Sequence, residues 1–80
     1  MQSAKEPILR TNGYVYNFDR MVYYNRLAKK AFSVEWLEDH TEDELKRKLE
    51  ERNGADDWKL YLNACPSKSV IDAFLAEVNG

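Results

Sequence analysis

Apolar and polar side chains alternate over the first half of the chain and recur at helical spacing over the second. Tyr14, Tyr16 and Phe18 are separated by Val15 and Asn17, a period of two that puts one set on one face of a strand. Ahead of them the pattern is β-like from Ile8, and Asn12-Gly13 is a turn pair because both residues tolerate a positive φ. Asp19-Arg20 reads as a two-residue turn into a second run of β-formers, Met21 to Asn25. Lys29 to Phe32 supplies a short third strand. The expectation is an antiparallel meander over residues 14–33. A helix from Arg20 to Phe32 competes for the same segment. Asp19 would be its N-cap, Phe18 and Tyr23 a hydrophobic staple, and Leu27 to Ala31 mostly good helix formers. The meander is the preferred reading.

Helical signals take over at Ser33. That residue caps a short segment with Val34 and Leu37 on one face, ending near His40. Thr41-Glu42-Asp43-Glu44 then forms a capping box, the hydroxyl serving the backbone of Glu44 and the Glu44 carboxylate reaching back. Leu45 and Leu49 mark the buried side of this second helix, Asn53-Gly54 is its stop signal, and its charges run from acidic to basic as the helix dipole favours. Trp58, Leu60 and Leu62 alternate along a strand that Cys65-Pro66 breaks. Ser67 caps a last helix whose apolar stripe is Val70, Ile71, Phe74, Leu75 and Val78. The predicted fold is α+β, in the order β-β-β-α-α-β-α. It comprises a small antiparallel β-meander plus one further strand, with two to three helices packed on one face. Residues 1–6 are expected to be a disordered tail and residues 7–80 a single domain.

Composition narrows the function classes. Eighty residues bury only ~60% of their unfolded surface, too little for a large enclosed active site. With 44% apolar and 32% charged residues the chain is globular in character. One cysteine excludes an intramolecular disulfide and a cysteine-rich zinc module. With that lone thiol and no apolar leader at the start, a cytoplasmic location is expected. The net charge of −2 argues against bulk attraction to nucleic acid or anionic membrane, and no apolar run reaches membrane-spanning length. The charge is uneven: residues 1–32 carry +4, residues 33–64 carry −5, and the remainder −1. Mutual attraction of the two halves within one fold is the preferred account, ahead of a partner surface.

Candidate chemistry is sparse. Cys65 and His40 are the only residues of their kinds, and nothing in their spacing brings them together as a nucleophile and base. Cys65 sits at a strand–helix junction where a helix N-terminus would lower its pKa, but a structural cysteine is the simpler reading. The cluster Glu35, Glu38, Asp39, His40, Glu42, Asp43 and Glu44 lacks EF-hand or HExxH spacing and reads as a solvated face around helix caps. No glycine-rich phosphate loop is present. No catalytic, cofactor or metal residue is therefore assigned.

Ten aromatic residues are a heavy load for so small a core, and seven lie on predicted strands. Tyr14, Tyr16, Phe18, Tyr23 and Tyr24 interleave with Arg20, Arg26, Lys29 and Lys30. Such a surface suits protein contact, since Tyr, Trp and Arg dominate interface hot spots. The expected function is a non-catalytic protein-interaction module, a homodimer being one form of it. Its partner-binding residues would be Tyr14, Tyr16, Tyr23, Tyr24, Arg20 and Arg26, on a sheet face left open by the helices. The alternative is single-stranded nucleic-acid binding through the same basic, Tyr-rich hairpin, by base stacking beside cations.

Overall fold

A computed structural model describes residues 4–54, 57–62 and 67–79. Its elements are α1 (Lys5–Thr11), β1 (Val15–Asn17), β2 (Val22–Asn25), β3 (Lys30–Ser33), α2 (Val34–Asp39), α3 (Glu42–Glu50), β4 (Lys59–Tyr61) and α4 (Lys68–Asn79). From β1 onward this is the predicted β-β-β-α-α-β-α order, in the α+β class. The strands lie in the order β1-β2-β3-β4. The meander forms over β1–β3, and the competing helix over residues 20–32 does not.

The turns explain why. Asn17 and Asn25 each end a strand and bend the chain with the side-chain carbonyl. Asn17 Oδ1 accepts from the Arg20 amide at 2.8 Å, and Asn25 Oδ1 accepts from the amides of Leu27 and Ala28 at 2.9 and 3.0 Å. Both turns finish on a residue with positive φ, Met21 and Lys29, each at 55°. The first turn spans residues 18–21, two more than Asp19-Arg20, so Phe18 and Met21 leave the strands.

The helix α1 corrects the β-like reading from Ile8 and takes in Lys5 and Glu6 from the expected tail. Seven residues are too few to hold a helix in isolation, so tertiary contacts carry it. Leu9 is fully buried, Arg10 pairs with Glu6 at 2.8 Å, and the Lys5 ammonium donates to the Leu37 carbonyl. Gly13, at φ 89°, turns the chain out of the helix toward β1.

The fourth strand pairs parallel to β3, in the register Lys30↔Lys59, Ala31↔Leu60 and Phe32↔Tyr61. The helices α2 and α3 form the crossover that a parallel pair requires, so the sheet is mixed rather than wholly antiparallel. The two capping signals act as expected: Ser33 Oγ accepts from the Trp36 amide, and Thr41 and Glu44 form the reciprocal box. The third helix ends at Glu50, short of Asn53-Gly54. The Asn53 amide instead donates to the carbonyls of Ala28 and Lys29, both at 2.7 Å, and ties the α3–β4 connection to the sheet.

Strand alternation divides the core into two layers. One face presents a row across all four strands, Tyr16, Tyr23, Phe32 and Tyr61. Phe32, fully buried, stacks on Tyr61 at 4.5 Å, and Leu9, Trp36, Leu37 and Leu45 from α1, α2 and α3 close over this face. The opposite face presents Val22, Tyr24, Ala31 and Leu60, covered by Phe74 and Val78 of α4 with Trp58 and Leu62 alongside. Helices thus cover both faces, which corrects the expectation that all pack on one. The final helix reaches the second face because the parallel β4 delivers the chain to the far end of the sheet.

Candidate interaction surface

The six predicted contact residues do not share a surface. Tyr14 belongs to the core, 4% exposed, its ring 5.7 Å from Phe32 and its hydroxyl pKa pushed up to about 12 by burial. This corrects its assignment to a partner. Tyr16 and Tyr23 are cross-strand neighbours with ring centroids 4.8 Å apart, on the face under α1–α3. Tyr23 is half-buried and hydrogen-bonded to Glu6 of α1, and its pKa rises, chiefly through burial and then through the Glu6 charge. Tyr24 points to the other face and meets Phe74 edge-on at 5.8 Å. Arg20 and Arg26 are exposed but flank opposite ends of β2, roughly 20 Å apart at strand rise.

Lys30 also leaves the predicted basic surface. It is 3% exposed, and its ammonium donates to the Lys48 and Leu49 carbonyls at 2.8 and 2.7 Å, capping the end of α3. Beside it, Glu51 accepts from Lys59, Lys48 and the Tyr61 hydroxyl at 3.1, 3.1 and 3.0 Å. Those three bonds hold its carboxyl down at about 2, while burial and then the Glu51 bond raise the Tyr61 hydroxyl. The cluster locks α3, β3 and β4 together, with each polar head engaged in a structural bond.

Other candidate chemistry has similar structural roles. His40 Nδ1 hydrogen-bonds the Trp36 carbonyl at 2.8 Å and its ring stacks on Trp36 at 3.9 Å, closing α2. The Glu44 carboxyl is lowered first by its bond from the Thr41 backbone, as the capping box requires. Among the described residues no three His, Cys, Asp or Glu side chains converge to hold a metal ion. Cys65 lies outside the described residues. No helix among them is long and apolar enough to cross a membrane.

What the structure does bring together lies at one end of the sheet. Phe18 is 84% exposed and Met21 55%, both in the β1–β2 turn. Phe18 rests against Tyr16, ring edge to ring face at 4.8 Å. On the other side of this turn a groove of about 280 Å³ opens between α4 and the sheet. Val22, Leu60, Leu62, Val70, Ile71 and Phe74 line it, and Asp19, Arg20, Ser33 and Glu35 supply its polar wall. An apolar concavity with a few polar groups at its margin is the usual form of a binding site. Of the predicted contact residues only Arg20 lines it. The longer turn was the feature that pattern reading missed, and Asn17, a turn-forming residue ahead of Phe18, was the available signal. Leu27, 98% exposed in the next turn, lies at the opposite end on the margin of a shallow, mostly polar recess shared with Leu49 and Glu51.

No protein-family model matches the chain, and no curated protein or solved structure matches it either.

Proposed function

We propose that this chain is a small, non-catalytic protein-interaction module whose contact surface is the β1–β2 turn and the groove beside it. The observation that carries this reading is a phenylalanine, 84% exposed, in a turn that also walls an apolar groove. A large apolar side chain held in water on one side of a turn, with a concave apolar surface and an arginine on the other, offers the residue types of an interface core. The sheet faces are covered, so the contact moves from a sheet face to the sheet's end. Nucleic-acid binding is less well supported, because its stacking rings and cations are dispersed over two faces and two ends. The absence of a second cysteine suits a reducing, cytoplasmic setting.

The test is site-specific photo-crosslinking in lysate, with a photoreactive phenylalanine analogue in place of Phe18 and, as control, of the exposed Glu50. A discrete adduct formed from position 18, absent from position 50 and lost on Val70→Asp, is the expected result. Indistinguishable adducts from the two positions would overturn the reading.

A further inference from the structure

The size of the groove and the charge beside it select what occupies it. Resting on the interaction-module reading above, we infer that the partner is a basic amphipathic segment of another protein. One bulky apolar side chain enters the groove, and lysines or arginines near it face the acidic side of α2.

Size excludes a whole small-molecule ligand. Ligand pockets run from ~300 to ~1,000 Å³, whereas an apolar cavity of ~150 Å³ already accepts benzene. At about 280 Å³ the groove takes one leucine- or phenylalanine-sized side chain. Leu60, Leu62, Ile71 and Phe74 offer it an apolar surround. Val70, also in the lining, is 47% exposed, so a chain lying along α4 has access.

Charge selects among the chains that could supply that side chain. Asp19 and Glu35 against Arg20 give the lining a net charge of −1. From Glu35 the excess grows: residues 33–45 hold six carboxylates and no lysine or arginine. Glu42, Asp43 and Glu44 occupy the first turn of α3, where the dipole favours acids. Glu35, Glu38 and Asp39 are placed differently. They stand at i, i+3 and i+4 of α2, all exposed, so they share one side of the helix and repel one another. Glu38 and Asp39 lie in its last turn, where the dipole disfavours acids, and that turn contains no basic residue. Capping therefore does not account for this stripe. A cationic partner relieves its repulsion, and Glu35 joins the stripe to the groove.

The helix also sets the partner's spacing. Glu35 and Asp39 are ~6 Å apart along the axis of α2, so the partner's basic groups fall within one or two turns of its apolar anchor. The anchor in the groove supplies affinity, and the charge pairs supply approach rate and selectivity.

The experiment titrates the nitrogen-15-labelled 80-residue chain with an amphipathic helical peptide of leucine and lysine, about four turns long. At about 10 mM salt the expected result is saturable binding, with amide shifts centred on residues 35–39, 60–62 and 70–74. Raising the salt to about 150 mM, which shortens the Debye length from about 30 to about 8 Å, should weaken binding roughly fivefold or more. Glu35→Gln combined with Glu38→Gln should weaken it about fivefold and flatten that salt dependence. Glu50→Gln combined with Asp57→Asn removes the same charge at the opposite end of the sheet and should change it by less than about twofold. Val70→Asn should also weaken it about fivefold, through the lost apolar contact. All five positions are exposed, so the amide spectra should show each variant folded. Equal binding by a serine–lysine or a leucine–glutamate peptide overturns the inference, as does an equal loss in the variant altered at 50 and 57. Dimerisation of the peptide-free chain that Val70→Asn abolishes overturns it in favour of a second copy. If the peptide fails to bind but the position-18 adduct in lysate is still lost on Val70→Asp, this inference falls and the interaction module stands with a partner of other chemistry. Loss of both results removes both readings.

Discussion

The buried ammonium of Lys30 offers a quantitative test of how this sheet is joined to its helices. Lys30→Ala removes two charge-assisted hydrogen bonds, to the carbonyls of Lys48 and Leu49, and leaves the C-terminal turn of α3 without those donors. Bonds of this kind contribute ~1.5–3 kcal/mol each, which sets a ceiling of about 3–6 kcal/mol. Part of that is returned, because the substitution also relieves the desolvation that lowers the Lys30 pKa, and the repulsion from Lys59, its partner in the parallel register. The net expected loss is roughly 2–4 kcal/mol. An 80-residue domain has about 4–12 kcal/mol in total, so Lys30→Ala is near the limit of a foldable chain. Lys30→Met separates the causes. It keeps the aliphatic stem packed and removes only the ammonium, so it should cost about 1–2 kcal/mol less than alanine. Urea denaturation followed by far-ultraviolet circular dichroism gives both values, and each kcal/mol should lower Tm by roughly 4–8 °C. A loss below ~0.5 kcal/mol for Lys30→Ala would refute the claim that this ammonium, rather than packing alone, secures α3 to β3.

Two further outcomes follow from the same geometry. Phe74→Ala should destabilise the domain by ~3–5 kcal/mol, since the ring is 5% exposed between Tyr24 and Trp58. A midpoint shift worth under ~1 kcal/mol would place α4 outside the core. Glu51 should make stability sensitive to acid. Its folded pKa of about 2 lies below the ordinary 4.5, so its contribution is complete above 4.5 and is lost as pH falls from there toward about 2. Glu51→Gln should flatten that limb of the stability profile, modestly because the side chain is 39% exposed, and an unchanged slope would show that the three-donor cluster is not formed in solution.

Much of the architecture was legible because its signals are local. The Thr41–Glu44 capping box, the Ser33 cap and the alternation of Trp58, Leu60 and Leu62 act within a few residues, and the structure uses each as written. The stripe of α4 marked the buried Phe74 and Val78 for the same reason, although Val70 at its start faces the groove and is 47% exposed. The first helix was not legible. Its residues make only a short stretch of helix, and burial of Leu9 against elements more than twenty residues away is what selects that conformation.

The candidate site was harder to read than the fold. Alternation told which tyrosines share a face but not which face would be covered, and helices cover both. Tyr14 and Lys30 looked like surface residues by type, yet the first fills the core and the second caps a helix from inside. Phe18 looked like a strand residue, yet the side chain of Asn17 lengthened the turn and turned it out to water.

The chain's sequence by itself determined the class, the element order from the first strand onward and the helix starts, because capping and periodicity are short-range properties of the backbone. Only the tertiary structure decided the parallel placement of the last strand and the two-sided covering of the sheet. The same packing decided that an apolar groove opens between the last helix and the sheet. Those depend on where a crossover delivers the chain, a long-range outcome that residue spacing does not encode.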